Sequence, residues 1–307
     1  MAFRFRLDES FGTGMRRIAL EQADRARKQL TRQADSGVAV HESRKCFKRI
    51  RALVRLARPC LKQSQYRAIN GRFRDLGRLL AQSRDLDVLA QTLAYLEARH
   101  PKLADDDCAE RVRTAIERAR KKALADIVEP PVEAALKELK KARTVIANLD
   151  LARCELDRLC EGLSREMHGF AKHYEEAQRN PSNETFHEWR KRAQYHRRHV
   201  LLLACAWPDA LEARFRVCRQ LSDHLGLDHD LAVLAGFVAS RLRRTMAKGE
   251  VERVQTLCYS EQSELRGKAV ALGALLVAES PDALRRRIEA YWIVRTQHPI
   301  EFQIAAE

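Results

Sequence analysis

Apolar residues recur at three- and four-residue spacing along almost the whole chain, in a background dominated by Ala, Leu, Arg, Glu, Lys and Gln. That period gives a helix one apolar face, and no stretch alternates convincingly enough to form a strand. The pattern predicts helices at roughly 10 to 35, 38 to 58, 62 to 82, 85 to 99 and 106 to 145, the last broken near Pro130-Pro131. A second set is expected at roughly 150 to 178, 182 to 206, 208 to 225, 229 to 247, 250 to 278 and 282 to 296. Arg58-Pro59, His100-Pro101 and Trp207-Pro208 are expected to end helices, because proline disfavours the helical conformation in the residue before it. Asn180-Pro181 and Ser280-Pro281 are expected to start them, each placing a capping side chain before a proline at the first helical position. The fold class that follows is all-α.

The chain also repeats itself. His41-Glu42-Ser43-Arg44-Lys45 returns 146 residues on as His187-Glu188-Trp189-Arg190-Lys191, and Leu76 to Ala90 returns 145 residues on as Leu221 to Ala235. In the second block Asp85-Leu86 matches Asp230-Leu231, and Val88-Leu89 matches Val233-Leu234. Two blocks at nearly one offset imply two copies of one helical unit, about 8 to 148 and about 149 to 298, within a single domain of 1 to 307. The expectation is two pseudo-symmetric helical bundles packed around a shared centre.

Each copy carries a helix with a divided surface. At about 100° per residue, His41, Arg44, Lys48, Arg51 and Arg55 fall within an arc of roughly 80°, with Lys45 and Arg49 at its flanks. Phe47, Ile50, Leu53, Val54 and Ala57 take the opposite side. In the second copy His187, Arg190 and Arg197 take the phases of His41, Arg44 and Arg51, Lys191 and Arg198 lie beside them, and Trp189, Ala193, Val200 and Leu203 face inward. Gln194 and Leu201 replace Lys48 and Arg55, which weakens the second stripe toward its C-terminal end. A charged face is ordinarily a solvated one, with acids four residues away to neutralise it. Between Arg44 and Arg58 there is no acidic residue. Like charges carried unpaired on two repeat-related helices cost stability unless an anion offsets them. Arg74 matches Arg219 at the same offset, with Arg78 one turn from Arg74, and both positions are expected at the shared site, although Asp223 stands where the second copy would have its Arg78.

Composition narrows the class of anion-binding protein. The chain has 57 Lys+Arg against 42 Asp+Glu, a formal net charge of +15, with 45% hydrophobic residues, enough to build a core and too many for a disordered chain. The longest uncharged apolar run, Ala269 to Ala278, is about half a membrane-spanning helix, and the N-terminal residues lack the apolar region of a signal peptide, so a cytoplasmic location without membrane insertion is expected. The eight cysteines stand singly in amphipathic stretches and never form Cys-x-x-Cys, which makes them core residues and leaves no local metal-ligand pair. His41 and His187 are expected to be mainly neutral phosphate-contacting donors, with a cation held between them as the alternative. His196 falls on the apolar side of its helix, His199 near the boundary, and His224 and His229 reach the site only if their helix lines it. Arg84 and Asp85 either orient the helix that follows or contact ligand, and Arg285-Arg286-Arg287 reads as a solvated face.

The paired His-x-x-Arg-Lys helices, VHESRKCFKRIRALVRLARP and FHEWRKRAQYHRRHVLLLACAWP, together with Arg84-Asp85-Leu86-Asp87-Val88-Leu89 and His229-Asp230-Leu231-Ala232-Val233-Leu234, resemble the CHAD family, the conserved histidine α-helical domain. The likeness also takes in Phe5-Arg6-Leu7 through Met15-Arg16-Arg17-Ile18 and spans essentially the whole chain. It implies two helical bundles enclosing a basic surface or pore that binds inorganic polyphosphate, at polyphosphate granules in bacteria. The family's ligand residues carry over onto His41, Arg44, Lys45, Lys48, Arg51 and Arg55, and onto His187, Arg190, Lys191, Arg197 and Arg198. Gln194 and Tyr195 stand where the family commonly has further basic residues. Relatives often carry a triphosphate-tunnel domain with Glu-x-Glu-x-Lys. The nearest approach here is Glu250-Val251-Glu252-Arg253-Val254, with Val in place of the Lys, so the chain is expected to be the binding module alone.

Two other functions compete on the sequence. A nucleic acid could use the same basic surface, but only 6% of the residues are aromatic and no recognition motif is present, which disfavours base stacking and readout. A phosphoanhydride hydrolase would need a phosphate loop, a metal-binding carboxylate pair or an activated nucleophile beside the stripe, and none is legible. No cofactor or resident metal is expected, and the sequence leaves open whether divalent cations bridge protein and polyphosphate.

Overall fold

The computed structural model describes residues 3–32, 36–80, 84–104, 107–125 and 131–298. Among these the chain is helical without strands: α1 (Phe11–Thr31), α2 (Ser36–Leu56), α3 (Gln63–Leu79), α4 (Arg84–Arg99), α5 (Pro101–Ala104), α6 (Asp107–Ala125), α7 (Pro131–Ala147), α8 (Leu156–Arg179), α9 (Asn183–Leu203), α10 (Pro208–Arg241), α11 (Lys248–Val277) and α12 (Pro281–Gln297). One-turn 3-10 helices, Arg58–Cys60 and Ala204–Ala206, follow α2 and α9. The succession of partners recurs: α2 packs on α1 and α3, α9 on α8 and α10, while α7 returns to α1 and α12 to α8. Across the two halves, α2 meets both α8 and α9, and α4 meets α10.

The interior does not divide at the junction of the repeats. The larger core joins buried residues of α1, α2, α3 and α7 to those of α8, α9, α12 and the N-terminal part of α10, with Trp189 wholly buried at 0% exposure among Phe170, Tyr174 and Phe186. The smaller core gathers Leu89, Leu93 and Leu96 of α4 and Val112 and Ile116 of α6 against Leu231, Leu234 and Val238 of α10 and Val254 and Cys258 of α11. Both copies therefore contribute to both cores. Phe47, Ile50, Leu53, Val54 and Ala57 of α2, and Trp189, Ala193, Val200 and Leu203 of α9, are all buried, as their helical phase requires.

Some boundaries differ from the sequence pattern. The helices expected at 208 to 225 and 229 to 247 are one 34-residue helix, α10. Gly226 costs roughly 1 kcal/mol of helix propensity, but Leu221 and Leu225 before it and Leu231 and Leu234 after it are held by different cores, so packing carries the helix through. Asn180-Pro181 does not start α9: Ser182 is its N-cap, its Oγ accepting from Thr185 N–H at 3.2 Å while Thr185 Oγ1 accepts from Ser182 N–H at 3.0 Å. Ser280-Pro281 starts α12 as expected, Ser280 Oγ accepting from Ala283 N–H at 3.2 Å. The break at Pro130-Pro131 separates α6 from α7, with Pro130 itself outside the described residues.

Close helix approach fixes α8 against the end of α2. A Cβ on Gly162 would overlap the carbonyl oxygen of Leu56, and Arg165 donates to the carbonyl of Arg55 at 2.7 Å, satisfying one of the C-terminal carbonyls a helix leaves open. Gly162→Ala should therefore lower unfolding stability by about 1–3 kcal/mol through overpacking. Gly71→Ala, where an added Cβ meets nothing within 4 Å, should raise it by roughly 0.5–1 kcal/mol. Urea unfolding of the two variants checks both signs.

Candidate functional site

α2 lies against both α3 and α9, and one cation of α9, Lys191, meets those of α2 and α3 at a shared groove. Arg44, Lys48 and Arg51 of α2, Arg74 and Arg78 of α3 and Lys191 of α9 line a groove of about 340 Å³ floored by Phe47 and Phe73, whose rings lie 5.8 Å apart. No acidic side chain lines it among the described residues. Arg44 Nη1 reaches the carbonyl of Leu80 at 3.4 Å, and Arg51 Nε donates to Asn70 Oδ1 at 3.1 Å, contacts that help orient both guanidiniums. Arg74 and Arg78 share the exposed carboxylate of Asp75 at 2.9 and 3.8 Å. Exposed pairs of that kind contribute little and yield readily to a stronger anion.

Toward α10 the strip continues through the second copy. His187 and His229 bring their Nδ1 atoms to 3.1 Å, with ring centroids 4.4 Å apart. Burial first, then the charges of Arg190, His187 and Lys48, push His229 down to about 4. Burial, Lys191 and Arg190 lower His187. Both rings are accordingly neutral near pH 7, as expected of His187, with burial rather than the helix dipole as the main cause. Lys48 on α2 thus acts on a histidine of α10, which joins the two stripes electrostatically. Along the α2–α9 contact, Arg198 is lowered by burial and then by Arg197, Arg49 and Arg190. A guanidinium stays charged through such a shift. Arg197 is within 3.8 Å of Asp223, and Arg198 donates to the carbonyl of Gln194 at 2.6 Å.

Other expected residues are placed differently. Arg55 is turned inward: Nε and Nη2 donate to Glu166 Oε2 and Oε1 at 2.9 and 3.2 Å, and the guanidinium lies 4.5 Å over the Tyr195 ring. Arg165 and Arg192, each at 3.6 Å, complete the cations around the same carboxylate. Burial raises the pKa of Glu166, but Arg55 foremost, with His199 and Arg165, outweighs it and holds the carboxyl below its ordinary range. Tyr195, a departure from the family pattern, therefore serves as a platform for Arg55 and stacks on His199 at 6.4 Å. Lys45 is paired with Glu42 at 2.7 Å, and Arg219 is exposed on α10 outside the groove. His41 is half-buried and also does not line the groove. The Arg84 and Asp85 side chains lie outside those described. His196 is a core histidine accepting from Arg214 Nε at 3.1 Å, and His199 Nε2 donates to the carbonyl of Ala52 at 2.9 Å, tying α9 to α2.

The sequence left His229 conditional on its helix lining the site and did not single out Glu166. His229 sits one repeat after Arg84, so the repeat offset was its signal. Glu166 lies on the apolar stripe of α8 between Leu163 and Phe170, and a carboxylate in that phase announces a buried partner. No group of three or more His, Cys, Asp or Glu side chains is placed to hold a metal among the described residues. All eight cysteines are free thiols, and no described helix is long and apolar enough to cross a membrane.

The described residues thus form a strand-free helical fold that presents a groove lined by six cations. Residues 17–239 match the CHAD domain family, and the chain belongs to it. Its fold is similar to the crystal structure of the CHAD domain from the plant Ricinus communis, at 18% identity over 90% of this chain and 94% of that one, TM-score 0.62. It is similar too to PptA from Streptomyces chartreusis, at 14% identity over 87% of this chain and 99% of that one, TM-score 0.63. No curated protein matches the chain.

The buried pair predicts that Arg55→Ala lowers stability by about 3 kcal/mol, because the buried Glu166 carboxylate loses both of its hydrogen bonds from Arg55 and keeps only Arg165 and Arg192 at 3.6 Å. The contribution of Glu166 should be complete above about pH 5 and fade as pH falls through its depressed folded-state value. Glu166→Gln should flatten that part of the stability profile, measured by thermal unfolding between pH 3 and 7.

Proposed function

We propose that the chain binds inorganic polyphosphate along the groove between α2, α3 and α9, without chemical turnover. The observation that carries the proposal is the groove itself: six cations drawn from three helices and from both sequence copies, around a floor of two aromatic rings and with no carboxylate in its described lining. A linear polyanion needs forked and point-charge donors at intervals and no stacking platform. Phe47 and Phe73 are each about 1% exposed, so they support the groove and offer no open ring face to a base. That favours polyphosphate, the ligand implied by the family resemblance, over single-stranded nucleic acid, where stacking supplies about 1–3 kcal/mol per base.

Binding without turnover is favoured by what surrounds the groove. Its cations can stabilise charge on a phosphoryl group, but catalysis also needs a positioned nucleophile or base. Of the described bases beside it, Asp75 is paired with Arg74 and Arg78, and His187 and His229 are hydrogen-bonded to each other. Association with polyphosphate granules in the cytoplasm and approximate two-fold symmetry of the binding surface belong to the same proposal.

Charge-assisted hydrogen bonds contribute about 1.5–3 kcal/mol each, so Arg44→Ala combined with Arg190→Ala should weaken long-chain polyphosphate binding at least tenfold. Affinity should also fall steeply between about 50 and 200 mM salt. Filter retention of labelled polyphosphate measures both. Unchanged binding by the double variant sinks the site assignment. Displacement by duplex DNA at equal charge would favour the nucleic-acid alternative, and phosphate release with Mg²⁺ that Arg44→Ala abolishes would make the protein an enzyme.

A further inference from the structure

His187 and His229 form a hydrogen-bonded pair between α9 and α10, Nδ1 to Nδ1 at 3.1 Å, at the end of the basic strip where Lys48, Arg190 and Lys191 converge. Two of those cations, Lys48 and Lys191, also line the groove. In the neutral pair one ring donates its Nδ1–H and keeps a bare Nε2, while the accepting ring carries its proton on Nε2. A proton from solvent can add at the bare Nε2 and leave the Nδ1–H···Nδ1 bond intact, now charge-assisted. The pair then holds one positive charge and two Nε2–H donors. A second proton would fall on the accepting Nδ1 and break the bond. The geometry thus admits one proton and resists two.

We propose that the His187–His229 pair is a proton-coupled element of the anion site, taking up one proton when a polyanion fills the groove and so strengthening binding as the medium acidifies. This rests on the polyphosphate reading of the groove and adds the regulation of that site. The groups that oppose protonation in the empty protein are burial and nearby cations: Arg190 and Lys191 on α9 and Lys48 on α2, with only Glu188 helping His187. Asp228 and Asp230 flank His229 on α10, and Asp228 is committed to Arg266 and Gln262 of α11 at 2.6 and 3.1 Å. A polyphosphate seated on Lys48 and Lys191 neutralises the cations that hold the pair neutral. The folded-state values then rise toward the ordinary histidine range, so the complex binds more protons than the free protein, and affinity must rise as pH falls through that window. It levels off once the free pair is itself protonated. Glu42 and Glu188 are held below the ordinary carboxylate range by Lys45 and Lys191 against the opposing effect of burial, and so remain ionised above pH 5.

The test is calorimetric titration of the full chain with long-chain polyphosphate, whose internal phosphates stay ionised in this range, at constant ionic strength and pH 7.5, 6.5 and 5.5. Two buffers of different ionisation enthalpy at pH 6.5 count the protons. The expected result is uptake of about half a proton per site at pH 6.5 and an affinity rising about tenfold from pH 7.5 to 5.5. The His187→Asn/His229→Asn double variant should lose most of that uptake and that rise, read against its own affinity at pH 7.5. Equal proton uptake by parent and variant overturns the inference while leaving the polyphosphate site standing. Failure of the parent to bind at any pH overturns the site and the inference together. Should the double variant not fold, imidazole proton resonances of the parent decide: two histidines whose titration moves upward on adding polyphosphate support the coupling, and unmoved titrations overturn it.

Discussion

Two helices rich in like charge, α2 and α9, pack beside one another, with Lys191 of α9 meeting Arg44, Lys48 and Arg51 of α2 at one groove, and the apolar packing of the structure holds them there. Unit charges about 4 Å apart repel by roughly 4 kcal/mol at an effective dielectric of 20. Burying a large apolar side chain contributes about 1.5–3 kcal/mol. Phe47, Ile50, Leu53, Val54 and Leu56 on α2, with Trp189, Val200, Leu202 and Leu203 on α9, are buried to within a few per cent. The apolar faces are therefore strong enough to hold the charged faces together, and His199 bonding to the Ala52 carbonyl fixes the approach.

The cations on those helices divide into two groups by what the other helices offer them. At the C-terminal end of α2, α8 presents Glu166, and Arg55, Arg165 and Arg192 are spent on it. Nearer the N-terminal end a carbonyl oxygen approaches Arg44 and a side-chain amide oxygen accepts from Arg51, both at the cation-lined groove. Charge neutralised inside the fold contributes to specifying the fold. Charge at the groove is what the proposed polyanion would meet.

Long helix α10 connects these two functions of the scaffold. Its N-terminal part belongs to the core under α9, its C-terminal part to the core formed with α4, α6 and α11, and His229 lies between. Asp228, buried beside it and held by Arg266 and Gln262, fixes that part of α10 against α11, while Arg266 lies over Phe186 of α9 at 4.5 Å. The histidine is placed by a continuous helix and a satisfied polar network, which is why its ring can meet His187 at hydrogen-bond distance.

Helical class, the buried faces of α2 and α9, the proline-marked ends and the basic stripe were all legible in the sequence, because each depends on a local period or a local backbone restriction. Lys45 and Arg55 shared that stripe but do not line the groove, since partners 3 and 111 positions away in the chain, Glu42 and Glu166, hold them. The same holds for His187, whose partner on α10 is 42 residues on, and for α10 itself, where packing on two cores overrode Gly226. Local chemistry thus determined which residues carry positive charge and on which face. Only the tertiary structure decided which of those charges remain for a ligand, because desolvation and pairing depend on neighbours that the chain brings together from far apart.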